Sequence, residues 1–376
     1  MRFNRRFATA KERLAKESLI KADLLENILV HMNQGEVVPI ISNSFRIEQI
    51  FQEEGETAEP IANAPQYDHN NDLTIEEQLT KEWAESEDVD YPMPDKYNLA
   101  RIAQYHSVET KDNIQARADY INFLKKFLLA SQDGEESVHL VNTLYRQIKE
   151  LPFSEIVRQL DYPRFSGGVE DPLRLLARFP LPIYITTSYY DFLERALEAE
   201  GKNPRTQICF WSGGSSIAKT QHRPDPEFMP TPISPAVYHL FGLEDYPQTL
   251  VLSEDDYINF LISIAEDTNT QNPIVPLTLR GSLADRRLLL LGYQLRDWDF
   301  RVLFRFILKF RNEKSAPRGM VIQLKPDWKR IGDEEKSRKY LSDYFDGKAF
   351  HFEWTDTESF VRKLWREWDK YRHTQA

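Results

Sequence analysis

Residues 181–197 read LPIYITTSYYDFLERAL, and this stretch decides the fold of the 376-residue chain. Its apolar start predicts a buried strand, and the amphipathic pattern from Phe192 onward predicts a helix. Polar residues 186–191 lie between the two. Because the carboxyl ends of strands in an open parallel sheet face a ligand-binding crevice, this cluster is a candidate binding turn. The same pattern also suits an ordinary junction in which Ser188 or Asp191 only caps the helix.

The same order of strand, polar turn and helix recurs along the chain. Residues 37–41 form an apolar run before a helical pattern that ends at Phe51, and residues 288–293 precede a helical pattern over 300–310. Short strands are also predicted at 208–211, 236–240, 249–252, 319–324 and 349–354. This alternation predicts an α/β fold, with a mostly parallel sheet covered by helices on both faces.

A long segment between the first two strands has helical patterns instead. These patterns cover residues 75–87, 99–106, 114–130 and 139–151. We therefore expect one domain over residues 1–376, with a helical insertion over 72–180. An amphipathic helix over 8–32 is predicted ahead of the first strand.

The composition indicates a packed globular protein, with 41% hydrophobic and 12% aromatic residues. The net charge of -11 argues against direct tight binding of nucleic acid or of anionic membranes. A single cysteine, Cys209, excludes an intramolecular disulfide and a cysteine-rich zinc site, and no metal site is expected. The chain has no apolar run of membrane-spanning length and no secretion signal, so we expect a cytoplasmic protein.

Three predicted strand ends carry polar residues before a helix. They are Ser42-Asn43-Ser44, Thr187 to Asp191, and Gly292 to Asp299. Helix N-termini attract phosphate groups, so a phosphate-bearing ligand is expected there. Neither of the glycine-rich phosphate fingerprints, GxGxxG and GxxxxGK[ST], occurs. The histidines lack metal-ligand spacing, and His239, within an apolar strand, is predicted to be structural.

Three motifs resemble those of the bacterial sirtuin-like domain family. Residues 186–194, TTSYYDFLE, are similar to its signature TTNYDDLLE. Residues 237–242, VYHLFG, together with residues 250–257, LVLSEDDY, are similar to its VYHLHG…LVLTEDDY element. Residues 290–301, LLGYQLRDWDFR, resemble FLGYSLRDWDFR. The motifs occur in the family's order, and the resemblance extends over roughly residues 37–354.

The resemblance implies a Rossmann-like sheet with a helical insertion and NAD bound in the crevice between them. Many bacterial members are NAD hydrolases of antiphage defence, in which NAD depletion arrests the infected cell. They commonly form homo-oligomers and often act with a partner such as a HerA-type ATPase. By this resemblance, Ser42, Asn43 and Ser44 stand at the first phosphate-contacting turn, whereas Gly292, Tyr293 and Asp297 stand near the adenosine-side loop.

The chain departs from the family at three positions. Ser188 replaces the catalytic asparagine, Tyr190 replaces an acidic residue, and Phe241 replaces the catalytic histidine. Since phenylalanine cannot exchange a proton, the family's usual base is missing. Two interpretations follow. Either the chain hydrolyses NAD through a rearranged site, or it is an inactive nucleotide sensor or scaffold that assembles with a partner effector.

The predicted site has two sets of residues. The catalytic candidates are Ser188, Asn43, Tyr190 and Asp191. The candidates for binding NAD are Ser42, Ser44, Arg46, Thr187, Gly242, Gly292, Tyr293 and Asp297.

Overall fold

The structure is a computed structural model that describes residues 27–51, 73–87, 89–132, 138–165, 169–212, 222–267, 273–294, 297–311, 320–324, 333–345 and 350–375. Residues 8–26 of the predicted N-terminal helix lie outside this set. Residues 27–33 are helical and form α1.

Strands and helices alternate through the second half of the chain, as predicted. The strands are β1 (Val37–Ile41), β2 (Ile183–Thr186), β3 (Arg205–Ile208), β4 (Ala236–His239), β5 (Arg287–Tyr293), β6 (Met320–Leu324) and β7 (Phe350–Trp354). The helices after α1 are α2 (Asn43–Phe51), α3 (Ile75–Ser86), α4 (Leu99–Thr110), α5 (Asn113–Ala130), α6 (Val138–Arg146), α7 (Phe153–Gln159), α8 (Pro172–Arg178), α9 (Phe192–Ala199), α10 (Glu254–Glu266), α11 (Leu277–Asp285), α12 (Trp298–Phe310), α13 (Glu334–Phe345) and α14 (Thr357–Gln375).

The strands form one seven-stranded sheet in the order β3-β4-β2-β1-β5-β6-β7. Every pairing between neighbours is parallel. The central strands β1 and β5 are apolar and buried almost throughout, as strands covered on both faces require. Helices α8, α9 and α14 pack together, and α10, α11 and α12 form a second group. The predicted α/β fold with a parallel sheet is confirmed.

Two strand predictions differ from the structure. The strand expected at 208–211 is β3, which lies three residues earlier because it pairs with the four residues of β4, from Ala236 to His239. The strand expected at 249–252 is wrong, since a 3₁₀ turn, Pro247–Thr249, occupies its start. Strand β4 already has a neighbour on each side, so this segment cannot pair with the strand that precedes it in the chain.

Helices α2 to α8 occupy the chain between β1 and β2. Helices α3, α4 and α5 pack against one another. Arg117 of α5 forms a buried ion pair with Asp256 of α10, and it donates hydrogen bonds to the carbonyls of Pro247 and Gln248 at 3.3 and 3.2 Å. These contacts hold the helical segment against the sheet. The exact limits of an insertion, 72–180, stay a prediction.

The turn after β1 packs closely on the end of β5. Ser42 Oγ donates a 2.7 Å hydrogen bond to the carbonyl of Gly292, whose φ is +82°. A Cβ at this glycine would lie 2.5 Å from Ser42 Oγ and 3.0 Å from Phe45 Cβ. Both the backbone conformation and the close approach therefore require glycine here.

A bilayer-crossing segment is not found among the helices of the described residues, because none combines the required length with the required apolar character.

We predict that Gly292→Ala destabilises the protein more than Gly201→Ala. Both glycines have positive φ, +82° and +76°, but nothing lies within 4 Å of a Cβ at Gly201. The only cost in the control variant, Gly201→Ala, is therefore the strain of a left-handed backbone, about 1 kcal/mol. The Gly292 variant also meets the overpacking penalty, about 1–3 kcal/mol more. Urea unfolding measures both losses, and equal losses would contradict the close contact with Ser42.

Candidate functional site

A cleft of about 420 Å³ opens at the carboxyl ends of the central strands. Residues that follow β1, β2, β4 and β5 line one side of it. The strand order reverses between β1 and β5, and open parallel sheets bind ligands at such a point. The first turns of α3 and α4 and the loop before α4 form the opposite wall. The helical segment therefore forms a roof over the switch point, which is the place where the strand order of the sheet reverses.

The turn after β1 brings two serines and the start of α2 to the cleft. Ser42 Oγ and Ser44 Oγ both donate to the Gly292 carbonyl, at 2.7 and 3.0 Å. Ser42 Oγ also accepts a 3.3 Å hydrogen bond from the Phe45 amide, which caps α2. Ser42 is buried, whereas Ser44 is half-buried and lines the cleft. The N-terminus of α2 thus opens on the cleft.

Asn43 joins the turn after β1 to the turn after β2. It lines the cleft, and its Oδ1 accepts a 3.5 Å hydrogen bond from the Tyr189 amide. Tyr189 lines the cleft too, and its hydroxyl donates to the Val251 carbonyl at 2.7 Å. Asn43 is half-buried, so its amide can meet a ligand.

Thr187 connects β2 to both central strands. Its amide donates to the Ile41 carbonyl at 3.0 Å, and its Oγ1 lies 3.2 Å from the hydroxyl of Tyr293 at the end of β5. Thr187 borders the cleft, although both it and Tyr293 are fully buried. These two hydroxyls fix the spacing of the strand ends beneath the cleft.

Three predicted catalytic residues lie behind the lining. Ser188 Oγ accepts a 3.3 Å hydrogen bond from the Tyr190 amide, so it stabilises its own turn. Tyr190 is fully buried with its ring centroid 5.0 Å from that of Phe153. Asp191 pairs with Arg195 at 2.8 Å. In this structure all three therefore support the turn rather than line the cleft.

The other residues predicted to bind NAD do not lie together at the cleft. Arg46 pairs with Asp171 at 2.8 Å, outside the cleft lining. Gly242 packs on Thr249, whose carbonyl oxygen would lie 2.4 Å from a Cβ at the glycine. Asp297 lines the cleft at the start of α12.

The structure thus divides the predicted residues into three groups. Four line the cleft: Asn43, Ser44, Thr187 and Asp297. Four more are bonded to lining residues or lie between them: Ser42, Ser188, Gly292 and Tyr293. The remaining four lie outside the lining: Arg46, Tyr190, Asp191 and Gly242.

Sequence reasoning did not select several residues that line the cleft. Those on the sheet side are Tyr189, Phe241, Tyr257, Trp298 and Asp299. They lie inside the motifs that carry the family resemblance, so a signal for them existed. Those on the roof include Glu76, Glu77, Asp95, Tyr97 and Arg101. No motif marks the roof residues, because only the packing of α3 and α4 brings them to the site.

The cleft is rich in carboxylates. Its described lining includes five, Glu76, Glu77, Asp95, Asp297 and Asp299, and one guanidinium, that of Arg101. Arg101 contacts Asp95, and its Nε donates to Glu254 Oε1 at 3.0 Å. The balance of charge favours positive charge on a bound group in this part of the cleft.

The carboxyl of Asp299 has a perturbed pKa. Burial raises it to about 7, although a 2.6 Å hydrogen bond from the Phe300 amide opposes the shift. Asp299 is half-buried and lines the cleft. Burial therefore favours the neutral form of this carboxyl more than water does.

Phe241 occupies the position of the family's catalytic histidine. Its ring packs edge-on against Tyr257 and Phe260, with centroid distances of 5.5 and 5.3 Å. It borders the cleft but offers only a carbon ring, which cannot transfer a proton.

His239, two residues earlier, is fully buried and lies outside the lining of the cleft. Its Nδ1 lies 2.9 Å from the Ser188 carbonyl, and its Nε2 lies 2.8 Å from Glu194 Oε1. A carbonyl only accepts hydrogen bonds, so Nδ1 carries a proton and donates it to Ser188. Burial lowers the pKa of His239, but the Glu194 carboxylate and the Ser188 carbonyl outweigh it and raise the pKa overall. The predicted structural role of this histidine is confirmed.

One further group of side chains could hold a metal ion. Glu87, His106 and Asp119 bring their ligand atoms within 4.8 Å of one another. His106 Nε2 lies 3.1 Å from Asp119 Oδ2, and Gln115 donates to the other oxygen at 2.6 Å. The group follows the last turn of α3, whereas the first turn of α3 lines the cleft. It is therefore separate from the cleft.

We predict that His239 makes stability fall with rising pH. Its raised pKa means that the folded state binds the proton more tightly than the unfolded state, so this stability is complete below pH 6.5 and is lost as pH rises through the folded pKa. In acid, His239→Gln should cost about 3 kcal/mol because it leaves the Glu194 carboxylate buried without its cation.

Urea unfolding of the wild type and His239→Gln between pH 6 and 9 measures this effect. Since Glu244 and Asp299, whose pKa values burial raises to about 7, titrate in both proteins, the difference between the two curves isolates His239. This difference should shrink as pH rises. A difference that stays constant would rule out a buried imidazolium.

Comparisons with known proteins match part of the chain to a known domain. Residues 182–345 match the model of the SIR2-like domain. NAD(+) hydrolase ThsA of Bacillus cereus (strain MSX-D12) is 27% identical over 143 residues, which cover 38% of this chain and 26% of that protein. NAD(+) hydrolase ThsA of Cytobacillus dafuensis is 26% identical over 147 residues, which cover 39% of this chain and 26% of that protein.

The aligned part of the chain thus spans about a quarter of the length of these curated relatives. The match to the SIR2-like model begins just before β2 and includes three of the four strands whose ends meet at the cleft. Strand β1 precedes the match, yet it lies between β2 and β5 in the same sheet. The parallel sheet is consistent with the match of residues 182–345 to the model of the SIR2-like domain.

Proposed function

We propose that this chain binds NAD in the cleft and hydrolyses the bond between nicotinamide and ribose. The observation that carries the proposal is a cleft at the switch point of a SIR2-like sheet, lined by Asn43 and by several carboxylates. Support also comes from two partial relatives that are named as NAD(+) hydrolases.

The start of α2 offers a place for the pyrophosphate of NAD. Helix N-termini present unpaired amides and the positive end of the helix dipole, which favours anions. Asn43 and Ser44 form the first turn of this helix and line the cleft. We propose that the phosphates lie against this turn. The adenosine side would then extend along the start of α12, where Asp297 lies.

The carboxylates of the cleft suit the cleavage step. Departure of nicotinamide from ribose leaves an oxocarbenium-like carbon, so positive charge grows on the sugar in the transition state. Fixed negative charges stabilise such a centre when they are already oriented around it. Glu76 and Asp299 lie on opposite walls of the cleft and could supply these charges. Asn43 would orient the ribose by hydrogen bonding.

We extend the proposal to antiphage defence on the basis of the family resemblance. In this role the protein would act in the cytoplasm, as a homo-oligomer, and would lower cellular NAD during infection. A HerA-type ATPase is the partner class that the resemblance implies. The net charge of -11 supports a partner, rather than this chain, as the site of nucleic-acid contact.

A second candidate function is binding of NAD without turnover. Phe241 favours it, because the family's proton-exchanging side chain is missing at this position. The chain would then be a nucleotide sensor or a scaffold for a partner effector.

We predict that the purified protein releases nicotinamide from NAD and that Asn43→Ala lowers kcat/KM by on the order of 10²-fold, since misplacement of the ribose is costly. Chromatography of the products, with and without single-stranded DNA or a candidate partner, measures the release. Ser188→Ala tests the other predicted catalytic position. Asn203→Ala is the matched control, because Asn203 is exposed and lies outside the cleft lining.

The outcomes separate the two candidate functions. A thermal shift with NAD but no nicotinamide under any condition would support the sensor. Absence of both a thermal shift and release would contradict both functions. Full activity in Asn43→Ala would remove Asn43 from the site.

A further inference from the structure

Three helices of the roof bring one imidazole and two carboxylates together. Glu87 is the C-cap residue of α3, His106 lies about one turn before the end of α4, and Asp119 lies in the second turn of α5. One ligand atom from each residue lies within 4.8 Å of the other two. Because the residues come from three separate helices, no short sequence spacing marks the group.

The His106–Asp119 pair has the spacing of two neighbouring metal ligands. His106 Nε2 lies 3.1 Å from Asp119 Oδ2. In a tetrahedral zinc site with bonds of about 2.0–2.1 Å, two ligand atoms lie about 3.3–3.4 Å apart. Glu87 is exposed, so its side chain can close on an ion that the other two residues hold.

Two of the three side chains are oriented by their neighbours. His106 is only 6% exposed, and its ring packs edge-on against that of buried Trp83, with a centroid distance of 5.6 Å. Gln115 Nε2 donates a 2.6 Å hydrogen bond to Asp119 Oδ1, while Oδ2 faces His106. Residues that bind one oxygen of a carboxylate in this way fix the other oxygen for a metal ion.

The group has more negative than positive charge. The carboxylate of Asp119 contacts His106 and Gln115. Among the described residues, no lysine or arginine forms an ion pair with Asp119 or Glu87. The negative end of the α3 dipole lies at Glu87, and α3 has no basic residue in its last turn. A hydrogen bond between His106 and Asp119 therefore still leaves the Glu87 carboxylate without a cation, and the local charge favours a bound one.

The ligand atoms select the class of ion. Magnesium and calcium prefer sites made of oxygen atoms alone, whereas an imidazole nitrogen suits zinc and other transition metals. Zinc also accepts carboxylate oxygens, and it commonly takes a water molecule as its fourth ligand when the protein supplies three.

We propose that Glu87, His106 and Asp119 bind a divalent transition metal ion, for which zinc is the best fit. The ion ties α3, α4 and α5 together at the end of α3 that is away from the cleft. None of the three residues lines the cleft, so this site is independent of the proposed hydrolysis of NAD.

The test uses the full-length chain without an affinity tag, stripped with a chelator and titrated with Zn²⁺ in a calorimeter. The wild type should bind one ion per chain, and Zn²⁺ should raise its Tm, whereas Mg²⁺ should do neither. Visible absorption of bound Co²⁺ reports the coordination geometry. Glu87→Gln and Asp119→Asn should each lower the affinity for Zn²⁺ by more than 10²-fold, because each removes a charged ligand.

Gln115→Ala should lower the affinity for Zn²⁺ by about 10–100-fold, the usual effect of losing a residue that orients a metal ligand. Gln115 and Glu87 are both exposed, so their variants test the site even if changes at buried His106 prevent folding. His139→Gln is the matched control for a histidine variant, since His139 is exposed on α6 and lies outside the group. It should bind Zn²⁺ like the wild type.

The outcomes decide between a metal site and a simple hydrogen bond. A wild type that does not bind Zn²⁺ at one ion per chain, or a Glu87→Gln variant that binds it equally well, would overturn the site and leave His106 and Asp119 as a hydrogen-bonded pair. Equal binding of Mg²⁺ would overturn the assignment to a transition metal. Since these measurements do not use NAD, failure of the metal site and failure of NAD hydrolysis are seen separately.

Discussion

The hydrogen bonds from Ser42 and Ser44 to the Gly292 carbonyl are the contact on which the site depends. They join the turn after β1 to the end of β5, where the strand order reverses. Glycine is required because its φ is +82° and a Cβ would collide with Ser42 Oγ. The close approach brings the N-terminus of α2 to the floor of the cleft. The bond of Thr187 to Tyr293 then fixes the third strand end beside it.

The roof of the cleft depends on charged contacts with α10. Arg117 is buried against Asp256, and Arg101 pairs with Glu254, so two arginines of the helical segment meet two acids in the first turn of one helix. Much of the attraction in a buried ion pair offsets the cost of removing both charges from water. The clearer effect of the Arg117–Asp256 ion pair is to fix the orientation of the helical segment that forms the roof of the cleft. That geometry places Glu76 across the cleft from the sheet.

The chemistry of the cleft depends on the side chains around it more than on the fold of the chain. The SIR2-like sheet places a crevice at the switch point, but the fold alone does not supply a base. Phe241 removes the imidazole from its usual position, while burial raises the pKa of the Asp299 carboxyl to about 7.

The sequence by itself determined the parallel sheet and the turns that meet at its centre. A strand covered on both faces must be apolar almost throughout, and residues 288–293 show this pattern without reference to the rest of the chain. Motif position also located Asn43 and Asp297, which line the cleft. Only the tertiary structure decided that Tyr190 turns into the core and that Glu76 reaches the cleft. Both outcomes depend on packing between elements distant in the chain, which local periodicity does not encode.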